Sequence, residues 1–347
     1  MVDEIATLKV SPAVQAMDKT FAKIDGAYSP NTIRAYRADF LEFIQFCEER
    51  GLPSIPASYE SVTLYVDANV DKGCSINFIK RKVSAIGSIH KFSRLPNPVK
   101  DIDVQLALRR MARKNGRINK QAYGLNQKLF DDLMQAAGDD IFGKRDRALL
   151  QLGYTSLCRR HELVQLLVED IKPNEDGSVL LHQRGSKTDT ERRGRWIYLP
   201  PDVWTYVKVW LEAADITQGP ILRGIKRGGQ VMTEAYGPGA INRTYKRLAR
   251  KAGFDEALVK ELSSHSTRVG AAQELLRTGA SLLQVMQRGG WGLPQSVLKY
   301  VKNADMVHEY PTWRNKQFRL IGSPCSQDIS ETQEIKQVLF SNRLDSK

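Results

Sequence analysis

The chain has 347 residues, and at about 100–200 residues per domain that length predicts two domains. Apolar residues make up 41% and charged residues 26%, a balance that excludes a wholly disordered chain. The formal charge of +13 favours a polyanionic partner, nucleic acid or an anionic membrane. No apolar run approaches the roughly 18 residues of a membrane span, which leaves nucleic acid.

The first segment, MVDEIATLKVSPAV, lacks the basic-then-apolar order of a signal peptide, so a cytoplasmic location, beside the nucleoid, is expected. Residues 1–20 carry little periodicity and are expected to form a flexible tail. From Ser29-Pro30, an N-cap followed by proline at the first helical position, Ile33, Tyr36, Phe40, Ile44 and Cys47 recur at helical spacing up to Gly51. Further helices are expected over Tyr59–Asp71, after Gly73 with Ile76, Ile79, Val83 and Ile86 on one face, and from about Asp103. Residues 21–114 therefore read as a helical bundle. On its third helix Lys80, Arg81 and Lys82 fall between the apolar positions, which suits either a DNA-reading face or an ordinary solvated one.

Between Leu106 and Lys120 lie six basic residues and no acidic one, Arg113 and Lys114 among them. The expected basic linker, 115–126, follows a phosphate backbone or is simply a charged connection. A second domain is expected over 127–320. Helical patterns over Leu129–Met134 and Lys144–Leu157 give way to period-two segments at Leu166–Ile171, Ser178–Gln183 and Arg195–Leu199, read as a small antiparallel sheet. Helices resume at Pro201 and around 241–251, 265–277, 282–287 and 295–301. Asn242, Arg243 and Lys246 on one of them are candidate DNA contacts. Residues 321–347 form an extension in which Ile335, Val338 and Leu339 suit a short amphipathic helix.

Cys47, Cys74, Cys158 and Cys325 form no CxxC pair and are expected as free thiols. His90, His161, His182, His265 and His308 show no HxH or HExxH spacing, so neither metal nor other cofactor is expected. Phosphoryl transfer without a metal needs cationic side chains on the phosphate oxygens, an in-line nucleophile and a proton donor. His265 and Arg268 are three apart and share one helix face, and Arg159 and Glu162 repeat that spacing. Alone, each pair also suits ordinary structure: a core histidine in one case, a surface salt bridge in the other.

The segment HSTRVGAAQELLRTGASLLQVMQRGGWGLPQSVLKYV closely resembles the catalytic core of the tyrosine recombinases, and within them the Cre-like phage integrase family members. That family carries an Arg, a Lys, a His-x-x-Arg pair, a Trp or second His, and a Tyr nine residues beyond it. This sequence supplies Arg159, Lys187, His265, Arg268, Trp291 and Tyr300 in that order, the last two nine apart. The resemblance implies a mainly α fold: a SAM-like helical DNA-binding domain and an α+β catalytic domain with a small antiparallel sheet, forming a C-shaped clamp. It implies site-specific recombination of double-stranded DNA at two-armed, inverted-repeat sites, by a homotetramer on two sites that exchanges a C-terminal helix from within 306–342.

By the same resemblance Tyr300 is the nucleophile, Arg159 and Arg268 grip the phosphate, and Glu162 orients Arg159. Lys187, in the connection between two expected strands, is the general acid, and His265 moves the Tyr300 proton. Trp291 donates its indole N–H, packs under the Tyr300 helix, or does both. Arg288, in MQRGGW, is a further candidate for DNA contact. A topoisomerase-like or telomere-resolving enzyme, and a non-catalytic DNA-binding regulator, are the competing readings.

Overall fold

The computed structural model describes residues 11–114, 122–185 and 194–301. They belong to two compact units, 1–120 and 121–347. The fold is mostly helical, with an N-terminal helical domain and small antiparallel sheets in the second unit.

The first unit contains α1 (Pro12–Lys23), α2 (Pro30–Glu48), α3 (Tyr59–Asp71), α4 (Ile76–Phe92) and α5 (Ile102–Lys114). Local chemistry sets the helix starts: Ser29, Ser58 and Ser75 each accept a backbone N–H from their own first turn, and Pro30 opens α2. Helices α2 and α4 pack together, as do α3 and α5. Their apolar stripes meet in a core of Phe40, Phe43, Ile44, Tyr65, Val83, Ile86 and Val104.

Helix α1 corrects the expectation of a loose tail for residues 12–20, while residues 1–10 lie outside the described residues. Ser11-Pro12 starts it, and Val14, Met17 and Phe21 enter the same core. Spacings of three and four were present in the sequence, but too few turns carried them to stand out. His90 is a buried core residue whose Nε2 accepts from Ala57 N–H at 2.8 Å while Nδ1 donates to the Ile86 carbonyl at 2.8 Å.

The second unit runs α6 (Gln127–Ala136), α7 (Ile141–Ser156), the one-turn α8 (Arg160–Leu163), strands β1 (Ile171–Pro173), β2 (Val179–Gln183) and β3 (Arg195–Leu199), then α9 (Pro201–Ala213). A hairpin of β4 (Arg223–Ile225) and β5 (Val231–Ala235) follows, then α10 (Pro238–Lys251), α11 (Glu256–Glu261), α12 (Ser264–Arg277), α13 (Leu282–Gly289) and α14 (Pro294–Val301). The sheet order is β1-β2-β3, all antiparallel, with Leu181 opposite Ile197 and Gln183 opposite Arg195.

The strand expected at Leu166–Ile171 is displaced: Leu167 makes an isolated antiparallel bridge with Pro220, Val168–Asp170 form a 3-10 turn, and the three-stranded sheet begins at Ile171. Val179, Leu181, Ile197 and Leu199 point into the core while Trp196 and Tyr198 face outward, the period-two pattern of a half-buried sheet. Helix α7 is the central rod of the unit, packed against both α9 and α12. The β4–β5 hairpin and α11 carry no clear sequence pattern. Both are short, and β5 carries mostly exposed residues that give no burial pattern.

Candidate active site

The site forms where α7 ends. Leu157 takes a left-handed conformation (φ 52°) that stops the helix and turns the chain. Arg159 then caps α8 from extended backbone, and Glu162 at the third helical position closes the cap. One Glu162 carboxylate oxygen accepts the Arg159 backbone N–H at 2.8 Å and the other accepts its guanidinium at 2.7 Å. Glu162 is buried while Arg159 stays about one third exposed, at 35% of its side chain. One charge-assisted fork thus fixes a solvent-facing guanidinium.

Helix α12 begins with a reciprocal cap between Ser263 and Ser266, and Asn242 of α10 accepts the Ser264 N–H at 3.0 Å. This start sets His265 and Arg268 one turn apart on a single face. Arg268 is fully buried. Its Nη1 donates to the Leu157 carbonyl and its Nη2 to the Gly289 carbonyl at 2.8 Å. The guanidinium carbon lies 4.0 Å from the Trp291 ring centroid, a stacking arrangement that favours a desolvated cation. Burial, followed by the nearby Arg159 charge, lowers the Arg268 pKa to about 10. The two guanidiniums are therefore close enough to repel, and an anion between them relieves that repulsion.

Helix α13 ends at Gly290, whose φ of +63° suits glycine. Gly289 has a second reason: a Cβ there would sit 2.0 Å from the Trp291 ring. The ring packs instead with Leu157, Ala271, Val285 and Val297, with Tyr300 against the cluster. Tyr300 lies on α14, its carbonyl accepting from Gln273 Nε2 at 2.9 Å. Its hydroxyl is 3.3 Å from His265 Nε2, with ring centroids 5.5 Å apart, and its ring centroid is 5.7 Å from that of Trp291. Although His265 is exposed overall, desolvation of its ring, then the charges of Arg268 and Arg159, hold its pKa below the ordinary 6.5.

Six of the seven expected catalytic residues, Arg159, Glu162, His265, Arg268, Trp291 and Tyr300, thus come together. Lys187 lies outside the described residues, in the connection between β2 and β3. The expected DNA contacts divide differently. Lys82 requires correction: it is buried, with its ammonium held by Glu42, by Asn69 Oδ1 at 2.9 Å and by the face of Phe78. A lysine stem this long reached inward where the helical wheel suggested outward. Arg81 is exposed and pairs with buried Asp39 at 2.8 Å, and Lys80 is exposed as well. Asn242 caps α12 as described above, and Lys246 donates to the Lys260 carbonyl at 3.1 Å. Arg243, Arg113 and Lys114 are exposed. Sequence reasoning missed Arg195, which bonds to three segments around the site. At the start of a strand, its letter carries no signal of this.

The phage integrase family model matches residues 124–306, more than half of the chain, and the model of the phage integrase N-terminal SAM-like domain matches residues 21–95. The chain belongs to the phage integrase family, the tyrosine recombinases. An integrase/recombinase xerD homolog of Selenomonas ruminantium is 27% identical over 307 residues, spanning 84% of this chain and 87% of the relative. Recombinase cre of Escherichia phage P1 is 25% identical over 295 residues, spanning 80% and 86%. Among solved structures, the Tn1549 transposon integrase in complex with transposon right end DNA superposes with a TM-score of 0.59 at 17% identity, covering 82% of this chain and 94% of that one. The XerH site-specific recombinase bound to difH substrate gives 0.58 at 16% identity, covering 82% and 79%. At these identities the structural likeness defines the fold.

Proposed function

We propose that this protein recombines double-stranded DNA at specific two-armed sites, cutting and rejoining strands through Tyr300. The observation that carries the reading is the Tyr300 hydroxyl, 3.3 Å from Nε2 of His265, which shares its helix with Arg268 one turn further on. In the proposed reaction the Tyr300 oxygen attacks a backbone phosphorus as His265 takes its proton. Arg159 and Arg268 spread the charge of the non-bridging oxygens, a task suited to the guanidinium fork.

The bond to the 5′ oxygen breaks, and Lys187 protonates that oxygen as it leaves. The products are a 3′-phosphotyrosyl enzyme and a free 5′ hydroxyl. Because the phosphotyrosyl bond keeps the phosphodiester energy, attack by a partner strand's 5′ hydroxyl rejoins DNA without ATP and passes through a Holliday junction. The guanidiniums supply the positive charge, so the proposed mechanism calls for no metal. Four protomers on two sites complete the reading, which for assembly rests on the family resemblance.

The test starts with Tyr300→Phe, used to select bound duplexes from a random-sequence library. The selected duplex is then nicked beside its cleavage position and given to the unaltered protein. Covalent protein–DNA capture by the unaltered chain, with none by Tyr300→Phe at undiminished binding, is expected. Residual capture by the phenylalanine variant would overturn the nucleophile.

A further inference from the structure

Three consecutive carbonyls close α7, and each accepts from a different arginine. Arg288 Nε donates to Thr155 O at 3.1 Å, Arg195 Nη2 to Ser156 O at 2.9 Å, and Arg268 Nη1 to Leu157 O. The donors come from three separate elements: α13, β3 and α12. Carbonyls at a helix C-terminus have no partner within the helix and carry the negative end of its dipole, so guanidiniums are well matched to them. Of the three arginines, only Arg268 belongs to the phosphate pocket proposed above.

Arg195 extends the contact furthest. Its Nε donates to Gln183 Oε1 at 3.1 Å, across the base of the β2–β3 hairpin, and its Nη1 to the carbonyl of Arg288. Its Nη2 also lies 3.1 Å from Cys158 Sγ, one residue before Arg159. Each nitrogen of this guanidinium is thus engaged with protein. The segments it joins hold the proposed pocket: the corner that presents Arg159, and the last turn of α13, where the next carbonyl, that of Gly289, accepts Arg268. Among the described residues neither Arg195 nor Arg288 has a carboxylate partner closing a salt bridge, and burial, followed by the nearby Arg195 charge, lowers the Arg288 pKa. The fold tolerates two adjacent cations where one end of a helix must meet two other elements.

We propose that Arg195 is a positioning residue for strand cleavage. Without touching DNA, it clamps the end of α7, the last turn of α13 and the base of the hairpin, and so sets the spacing of Arg159 and Arg268 on the phosphate. Arg288 is its second clamp. The inference rests on the reading of Arg159 and Arg268 as phosphate donors.

The experiment uses the full chain and the nicked duplex selected above, made with either the natural phosphate or a methylphosphonate at the cleaved linkage. Methylphosphonate removes one anionic oxygen, so the placement of guanidiniums matters less to its cleavage. Arg195→Gln should cut the phosphate about 10- to 100-fold more slowly, the worth of one charge-assisted hydrogen bond, and this deficit should largely disappear on methylphosphonate. Arg288→Gln, which removes a single side-chain contact, should show a smaller loss of the same pattern and serves if Arg195→Gln does not fold. Equal slowing on both linkages, or undiminished cutting of the phosphate, overturns the inference. Arg159→Ala is the reference: if its own deficit is equal on both linkages, the phosphate-donor reading fails and takes the inference with it.

Discussion

Gly289 shows how closely the residues of this site depend on one another. Its missing side chain admits the Trp291 ring, whose face covers Arg268 while the Gly289 carbonyl takes one of that residue's N–H groups. Gly289→Ala forces the ring aside, and overpacking of this kind costs about 1–3 kcal/mol. The expected outcome is a modest drop in the urea midpoint with a much larger loss of covalent capture, because Arg268 loses its stacking partner. A capture rate that falls only in step with stability would contradict this.

His265 gives a second test. Its depressed pKa keeps the imidazole neutral below the ordinary value of 6.5, and the proposed role needs the neutral form to accept the Tyr300 proton. Single-turnover cleavage should therefore be flat from neutral pH downward and fall only once the pH drops below 6.5. His265→Gln should be slower and lose that acid limb, and measurement across pH about 5–8 reads both. Chain order and the nine-residue step from Trp291 to Tyr300 nominate the six side chains that meet here, because such spacing survives in any one-dimensional reading. The contacts of Arg195 were not legible, because its partners are carbonyls far away in the chain.

Elements were readable in proportion to the length of their pattern. Helix α3 falls on Tyr59–Asp71 as its periodicity required, since serine caps and apolar spacing agreed. Helix α1 is hard to see in the sequence because its core contacts, Val14, Met17 and Phe21, lie in a short stretch with polar neighbours. Its burial has a measurable consequence. Met17 is fully buried, so Met17→Ala should destabilise the N-terminal unit by about 2–5 kcal/mol, seen as a lower urea midpoint. A loose segment would show no change. Lys82 marks the converse limit: a helical wheel places Cβ atoms, while a four-carbon stem decides where the charge ends up.

At the scale of the whole molecule, the charge of +13 pointed to a polyanion before any motif was read, yet it could not say which cations do the binding. Burial and pairing narrow the set. Arg145 and Arg247 are spent on buried Asp146, and Lys82 on Glu42. Arg113 and Lys114, at the exposed C-terminal end of α5, have no such commitment to a carboxylate among the described residues. If they follow the phosphate backbone, each contact releases about one counterion, and the slope of log affinity against log salt carries about 0.9 per contact. The double change Arg113→Gln and Lys114→Gln should therefore flatten that slope by about 2, weaken selected and unrelated duplexes alike, and leave cleavage at saturating DNA unchanged. Filter binding across a salt series measures the slope. An unaltered slope would assign these two residues to the solvated surface and move the backbone contacts to Lys80 or Arg243, which are likewise exposed.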